Sequence, residues 1–133
     1  MSRSLTLRRR LLAGGLLLTV AALAAPSATF AKAGDVIRTG DCSGATNWKI
    51  KAHPDDTGLE VEAEVDQNKN GQAWSWTLKN DGVRVAGGTA TTRAPSGSFT
   101  VKRTTADGAG RDTLVFRATN AKTGETCRAS VTI

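Results

Sequence analysis

The chain of 133 residues is poor in the side chains from which most enzyme active sites are built. It has no tyrosine and only one histidine, His53, and no serine lies in the strand–turn–helix elbow of a hydrolase. A Ser–His or Cys–His pair would have to recruit His53, which precedes Pro54 in a predicted turn. Neither Gly87-Gly88 nor the 108–110 segment introduces a helix, so neither is a phosphate-binding loop. The sequence therefore predicts no catalytic residue, no cofactor and no enzyme.

Long apolar runs are also scarce. The main one extends from Leu11 to about Ala25, after a head that contains Arg8-Arg9-Arg10, and small residues follow it to Ala31 or Ala33. This layout is typical of a cleavable export signal, whereas a membrane anchor needs about 18 or more apolar residues. We therefore expect residues 1–31 to be removed, by the general secretory or the twin-arginine route. The remaining chain is predicted to be secreted, with no membrane span.

A strong excess of charge is missing once that leader is set aside. Fourteen of the eighteen Lys and Arg residues and all twelve Asp and Glu residues lie beyond residue 31, which leaves a formal charge of +2 instead of +6. Nucleic-acid binding thereby loses its main support, because such proteins carry a marked basic excess. The sequence predicts no nucleic-acid partner.

Only two cysteines are present, Cys42 and Cys127, and an even pair in an exported chain predicts one disulfide. A free thiol pair or metal ligation is the alternative. The disulfide would close a loop of about 85 residues, for which the chain-entropy estimate is about 4–5 kcal/mol. It would tie an N-terminal arm, residues 32–45, to the last strand.

A helical period is absent beyond residue 45, where short alternating runs are separated by turn residues instead. Alternation with a period of two is typical of strands that have one buried face. It is clearest where Glu60, Glu62 and Glu64 alternate with apolar residues. Seven runs are predicted to be strands: Thr46–Ala52, Leu59–Asp66, Gln72–Lys79, a run that starts at Val83, Ser98–Thr104, Thr113–Thr119 and Thr126–Ile133.

These seven strands, over residues 46–133, predict an all-β fold, a seven-stranded immunoglobulin-like antiparallel sandwich. The layout resembles the fibronectin type III and PKD-like versions of that fold, because the short turns follow the first, third and sixth strands. A small β-barrel is the alternative. In the immunoglobulin-like order the second strand lies between the first and the fifth. Lys49, Lys51 and Lys102 are therefore expected to form cross-strand pairs with the three glutamates.

Three segments carry a resemblance that covers nearly all of the exported chain: DQNKNGQAW (66–74), RAPSGSF (93–99) and NAKTGETC (120–127). Through them the sequence resembles small secreted proteins of unknown function from actinobacteria. The resemblance implies a secreted protein with an immunoglobulin-like sandwich, and it implies no activity.

The segment DQNKNG matches the first half of an EF-hand loop, with Asp66, Asn68, Asn70 and Gly71 at the expected positions. The bidentate Glu of such a loop would be Thr77, which cannot supply two carboxylate oxygens. We therefore predict no metal site, and Asp66, Asn68 and Asn70 remain weak candidates. The expected structure is a turn in which Asx side chains bond to nearby backbone groups and Gly71 is left-handed.

Trp74 and Trp76 could stack on a sugar, but they alternate in step with Leu78 on the predicted core side. We predict that both pack in the core, with Trp74 the more exposed of the two because it starts the strand.

By exclusion, the sequence predicts a secreted, monomeric, non-enzymatic interaction or structural module whose partner is an unidentified extracellular or cell-surface macromolecule. A small-ligand module for carbohydrate or calcium is the alternative. In the immunoglobulin-like layout Asp66–Gly71 and Asn120–Glu125 lie at the same end. The predicted interaction end is therefore Asn68, Asn70 and Lys122, since binding residues are often found on loops.

Overall fold

The computed structural model describes residues 34–133, so the predicted export signal, residues 1–31, lies outside the described residues. Eight strands and no helix occur in this range. The strands are β1 Val36–Asp41, β2 Asn47–Asp55, β3 Gly58–Asp66, β4 Ala73–Asn80, β5 Val83–Thr91, β6 Ser98–Thr105, β7 Thr113–Asn120 and β8 Thr126–Thr132.

The strands form two four-stranded sheets. The first sheet has the order β1-β2-β3-β6 and the second has the order β5-β4-β7-β8. All pairings are antiparallel. This is the predicted immunoglobulin-like order with one strand added at the edge of the first sheet. Because the sheets remain separate and share one core, the fold is a sandwich and the barrel alternative is wrong.

Strand β1 is the main difference from the sequence prediction. The sequence predicts an arm outside the sandwich over residues 32–45, whereas Val36–Asp41 pairs with β2 along its whole length. Only Val36 and Gly40 of this strand are even half-buried, so its sequence, VIRTGD, carries little alternation. Strand β1 is held beside β2 by backbone hydrogen bonds. Almost every residue type can form these bonds, so the sequence alone does not predict them.

The core lies between the inner faces of the two sheets, and its buried side chains are alternate residues of six strands, β2, β3, β4, β6, β7 and β8. Trp74 is fully buried and Trp76 is 5% exposed, so the core interpretation of both tryptophans is confirmed, with the order of exposure reversed. Trp74 lies near Phe99 across the sandwich, with ring centroids 6.3 Å apart. Trp76 stacks on Phe116 of the neighbouring strand, at 6.0 Å.

The predicted disulfide between Cys42 and Cys127 is confirmed. Cys42 directly follows β1 of the first sheet and Cys127 lies in β8 of the second, with their Cα atoms 4.3 Å apart. It therefore joins the two sheets covalently, across a sequence separation of 85 residues.

Two local expectations differ from the structure. The turn predicted over His53–Gly58 shrinks to Asp56-Thr57, because β2 continues to Asp55 and pairs there with Gly58. The carboxylate of Asp55 accepts hydrogen bonds from the hydroxyl and the backbone N–H of Thr57, which lower its pKa below the ordinary value. Gly87-Gly88 predicts a bulge or bend in β5, but the extra residue of the bulge is Val85, since Leu78 pairs with Ala86 and Lys79 pairs with Arg84.

Candidate interaction site

Four connections meet at one end of the sandwich: residues 42–46, 67–72, 92–97 and 121–125. We call this the loop end. Hydrogen bonds join neighbouring connections, from the Gln67 N–H to the Gly97 carbonyl (3.1 Å) and from the Thr46 N–H to the Glu125 carboxylate (3.0 Å). The prediction that the 66–71 and 120–125 segments share one end is confirmed.

A buried amide network fixes two of these connections to the core. The side-chain oxygen of Gln67 accepts hydrogen bonds from the indole N–H of Trp74 (3.0 Å) and from the amide of Asn120 (3.5 Å). Asn120 is 1% exposed, and its own oxygen accepts from the N–H groups of Lys122 and Thr123 at 2.9 and 3.0 Å. Because buried polar groups need partners, this network orders both loops.

Sequence reasoning missed Gln67 and Asn120 as positioning residues. The role of Asn120 could have been predicted, because an Asn at the end of a strand and shortly before Thr123-Gly124 often accepts hydrogen bonds from the backbone of a turn. The role of Gln67 could not have been predicted, because its hydrogen-bond partners, Trp74 and Asn120, come from two other segments of the chain.

The segment DQNKNG forms the predicted turn. The Asp66 carboxylate accepts a hydrogen bond from the Asn68 N–H (3.2 Å), and Gly71 is left-handed, with φ of 75°. Asn68 is left-handed as well, with φ of 59°, which was not predicted. Among residues 34–133 no group of three or more His, Cys, Asp or Glu side chains is placed to hold a metal ion.

The 67–72 connection rests against the 92–97 connection. The buried hydroxyl of Thr92 donates to the Lys69 carbonyl and accepts from the Gln72 N–H (2.9 Å). A Cβ atom at Gly97 would overlap the Lys69 backbone, so only glycine permits this approach. The predicted interaction residues Asn68, Asn70 and Lys122 are all exposed above this ordered base.

A shallow groove of about 390 Å³ lies beside the loop end, on the outer face of the first sheet. Its polar lining includes the side chains of Asp41, Asn47 and Asp66. Glu64 also lines it, but its carboxylate is paired with the Lys49 ammonium at 3.0 Å.

The outer face of the first sheet carries most of the predicted charge pairs. Lys49 pairs with Glu64, and Lys102 pairs with Glu60 at 2.8 Å. The hydrogen bond to Glu60 raises the pKa of the Lys102 ammonium above its ordinary value. These two pairs confirm the cross-strand prediction.

The third predicted pair is replaced by a different one. Lys51 lies opposite Glu62 in the register, but its ammonium bonds to Asp35 at 2.8 Å. This hydrogen bond lowers the pKa of Asp35 and raises that of Lys51. Asp35, which precedes β1, is thus the partner of Lys51 in place of a glutamate of β3.

His53 lies on this face and not in a turn. Its Nδ1 is 3.9 Å from the Asp35 carboxylate and its Nε2 is 3.5 Å from the Glu60 carboxylate. The histidine is thus placed between two acids on the outer face of the first sheet, away from the loop end.

Within residues 34–133 no helix has the length and apolarity needed to span a membrane. Comparisons with known proteins found no matching family model, no significantly similar curated protein and no significantly similar solved structure. The resemblance to small actinobacterial secreted proteins therefore stays a prediction, and the functional argument rests on the geometry of this chain.

Proposed function

We propose that this chain is a secreted, monomeric, non-enzymatic module that acts by contact with another macromolecule outside the cell. The observation that carries the proposal is the loop end, where exposed Asn68, Asn70 and Lys122 stand on connections held by a buried hydrogen-bond network. Loops on a rigid scaffold are the usual carriers of binding residues, because their side chains vary without disturbing the core.

Two features support the extracellular location. The leader over residues 1–31 has the layout of an export signal. A disulfide that joins two sheets persists in oxidising compartments, whereas cytosolic thiols are kept reduced.

A small-ligand module is the second candidate, and the groove beside the loop end favours it. Asp41, Asn47 and Asp66 offer oxygen atoms to a cation or to sugar hydroxyls there. Stacking of a sugar on Trp74 or Trp76 no longer supports this candidate, because both rings are buried. Titration with Ca²⁺ and with neutral oligosaccharides, followed by chemical shifts at Asn47 and Asp66, tests it.

The loop end can be tested with a triple variant, Asn68→Gly, Asn70→Ala and Lys122→Ala. Glycine is chosen at Asn68 because alanine at a positive φ would cost about 1–2 kcal/mol. The immobilised wild-type protein and the variant are compared for capture of proteins and polysaccharides from culture medium and isolated cell envelopes.

The matched control is Asp56→Ala with Arg111→Ala, which changes exposed side chains at the opposite end. We expect the triple variant to capture the partner at least about tenfold more weakly than wild type and the control to capture it normally. A triple variant that retains full capture of a partner would place the contact elsewhere on the molecule.

A further inference from the structure

The outer face of the second sheet carries cations and no acids. Its strands contain Lys79, Arg84, Arg117 and Arg128, and no Asp or Glu occurs in β4, β5, β7 or β8. All four cationic residues are exposed. Within residues 34–133 none of them takes part in an ion pair, in contrast to Lys49, Lys51 and Lys102 of the first sheet.

The register brings these cations into one band. Lys79 of β4 lies opposite Arg84 of β5, and Arg117 of β7 lies opposite Arg128 of β8. Thr77 lies opposite Arg117, which places the two pairs in adjacent rows. Because neighbouring strands are about 4.8 Å apart, the band crosses four strands and is roughly 14 Å long. We call it the basic band.

Each pair in the basic band sets two like charges directly opposite each other, which destabilises a sheet. The first sheet has the opposite arrangement, because Lys49 lies opposite Glu64 on its outer face. The Arg84 guanidinium lies over Gly87 on the same face as Thr77, where a Cβ atom would overlap it. No acidic side chain in β4, β5, β7 or β8 offsets the repulsion within the basic band.

The remainder of this face is rich in hydroxyl groups. By the strand register, the positions around the basic band are Ser75, Thr77, Thr89, Thr119, Thr126 and Ser130. No aromatic side chain is among the outward positions of these four strands, and Val115 is the one large apolar residue in the rows that carry the basic band.

We propose that the basic band binds an acidic polysaccharide, a glycan whose sugars carry carboxylate, sulfate or phosphate groups. The inference rests on the proposed function, since it needs an extracellular macromolecule, and it adds a second surface and a class of partner. Arginine is suited to this role because its planar fork matches carboxylate and phosphate geometry with two parallel hydrogen bonds. The surrounding hydroxyl groups can bond to sugar hydroxyls.

Other polyanions fit this face less well. Single-stranded nucleic acid binds on aromatic platforms that stack with its bases, and the outward positions offer none. Binding to an anionic membrane surface needs several apolar side chains that enter the interface, and Val115 on this face with Val83 beside Arg84, 70% exposed, supply little such area.

The test compares binding of the purified protein to immobilised dextran sulfate, polygalacturonate and uncharged dextran. The variant Arg117→Gln with Arg128→Gln removes half of the basic band. Arg38→Gln with Arg111→Gln is the control, because it removes the same charge from exposed sites off this face. We expect the band variant to bind an acidic glycan roughly 3- to 30-fold more weakly than wild type, and the control within about twofold of wild type.

Three outcomes would overturn the inference: no binding of wild-type protein to either acidic glycan, equal losses in both variants, or binding to polyaspartate, oligothymidine or phosphatidylglycerol vesicles as tight as to the glycans. Partner capture through the loop end is measured separately, with the band intact. A failure at the basic band therefore leaves the proposed function standing, and a failure at the loop end leaves the glycan measurement unaffected.

Discussion

Along the outer face of the first sheet, acidic and basic side chains lie opposite one another, whereas all charged side chains in the strands of the second sheet are basic. On their inner faces the two sheets are alike. Leu59 of the first and Phe116 of the second are both fully buried in one shared core. The difference is therefore confined to the solvent side.

This contrast separates the inner side chains, which the sandwich needs in order to fold, from the outer side chains, which face the solvent. The core depends on apolar area removed from water, to which the outer charges contribute nothing. The first sheet uses its charges to neutralise Glu60 and Glu64, while Arg117 and Arg128 repel each other. An unneutralised face in a well-packed domain is thus available for binding.

The largest expected effect comes from the inner faces, where the sheets should behave alike. Leu59→Ala in the first sheet and Phe116→Ala in the second should each lower the free energy of unfolding by about 2–5 kcal/mol, because each leaves a cavity in the shared core. Urea denaturation measures both, with Thr100→Ala on the exposed outer side as the control. A near-neutral result for either core variant would mean that its sheet does not share the core.

The disulfide should have the next largest effect, since it links the two sheets. Cys42→Ser with Cys127→Ser should lower the free energy of unfolding by about 2–5 kcal/mol, because the unfolded chain regains the freedom of the closed loop. The double variant avoids leaving one thiol that could form intermolecular bonds. Adding a reductant should destabilise the wild type and leave the double variant unchanged, and a double variant as stable as wild type would refute this role.

Single charge reversals on the two outer faces should act in opposite directions. Arg128→Glu places an acid opposite Arg117 and should raise the free energy of unfolding by about 0.2–1 kcal/mol. Lys49→Glu breaks the pair with Glu64 and should lower it by a similar amount, about 0.2–1 kcal/mol.

Urea denaturation at low and high salt measures these two reversals, and both effects should shrink as salt screens the charges. Arg128→Gln is the control that separates loss of repulsion from gain of a pair. Changes of the same sign on both faces would contradict the contrast between the sheets.

The smallest expected effect concerns pH and Asp35, whose pKa is lowered from the ordinary value of 3.8 by the hydrogen bond from Lys51. A carboxyl with a lowered folded-state pKa stabilises the fold fully above its unfolded-state pKa, and this stability is lost as pH falls through the folded-state value. The stability difference between wild type and Asp35→Asn should be constant above about pH 5 and shrink below about pH 4.

Urea denaturation across this pH range measures the difference. Lys51→Gln removes the largest cause, so Asp35→Asn should have a smaller pH-dependent effect in that background, where only His53 still lowers the pKa of Asp35. A difference that grows as pH falls would contradict the assignment.

Local patterns predicted much of the fold. Alternation in Leu59–Asp66 identifies a strand and its buried side, because side chains of a strand point to opposite faces in turn. Asp81-Gly82 predicts a tight hairpin, and both residues have positive φ, 47° and 81°. The loop end could be predicted as well, since strand order decides which connections meet.

Features that depend on partners distant in the chain could not be predicted in the same way. Strand β1 has little alternation, because its position at the sheet edge leaves most of its side chains in water. Lys51 pairs with Asp35, and Gln67 joins Trp74 to Asn120, although no short spacing in the sequence links these residues.

The sequence by itself determined the fold class, the core side of six of the seven predicted strands and the pairing of Cys42 with Cys127, because these depend on alternation and on a count of two. Only the tertiary structure decided that Arg84 would join Lys79, Arg117 and Arg128 on one face. The extra residue Val85 shifts the register of β5, and strand order then brings β7 and β8 beside β4. Such a surface depends on which strands pair and in which register, and the residues of one strand alone do not determine either.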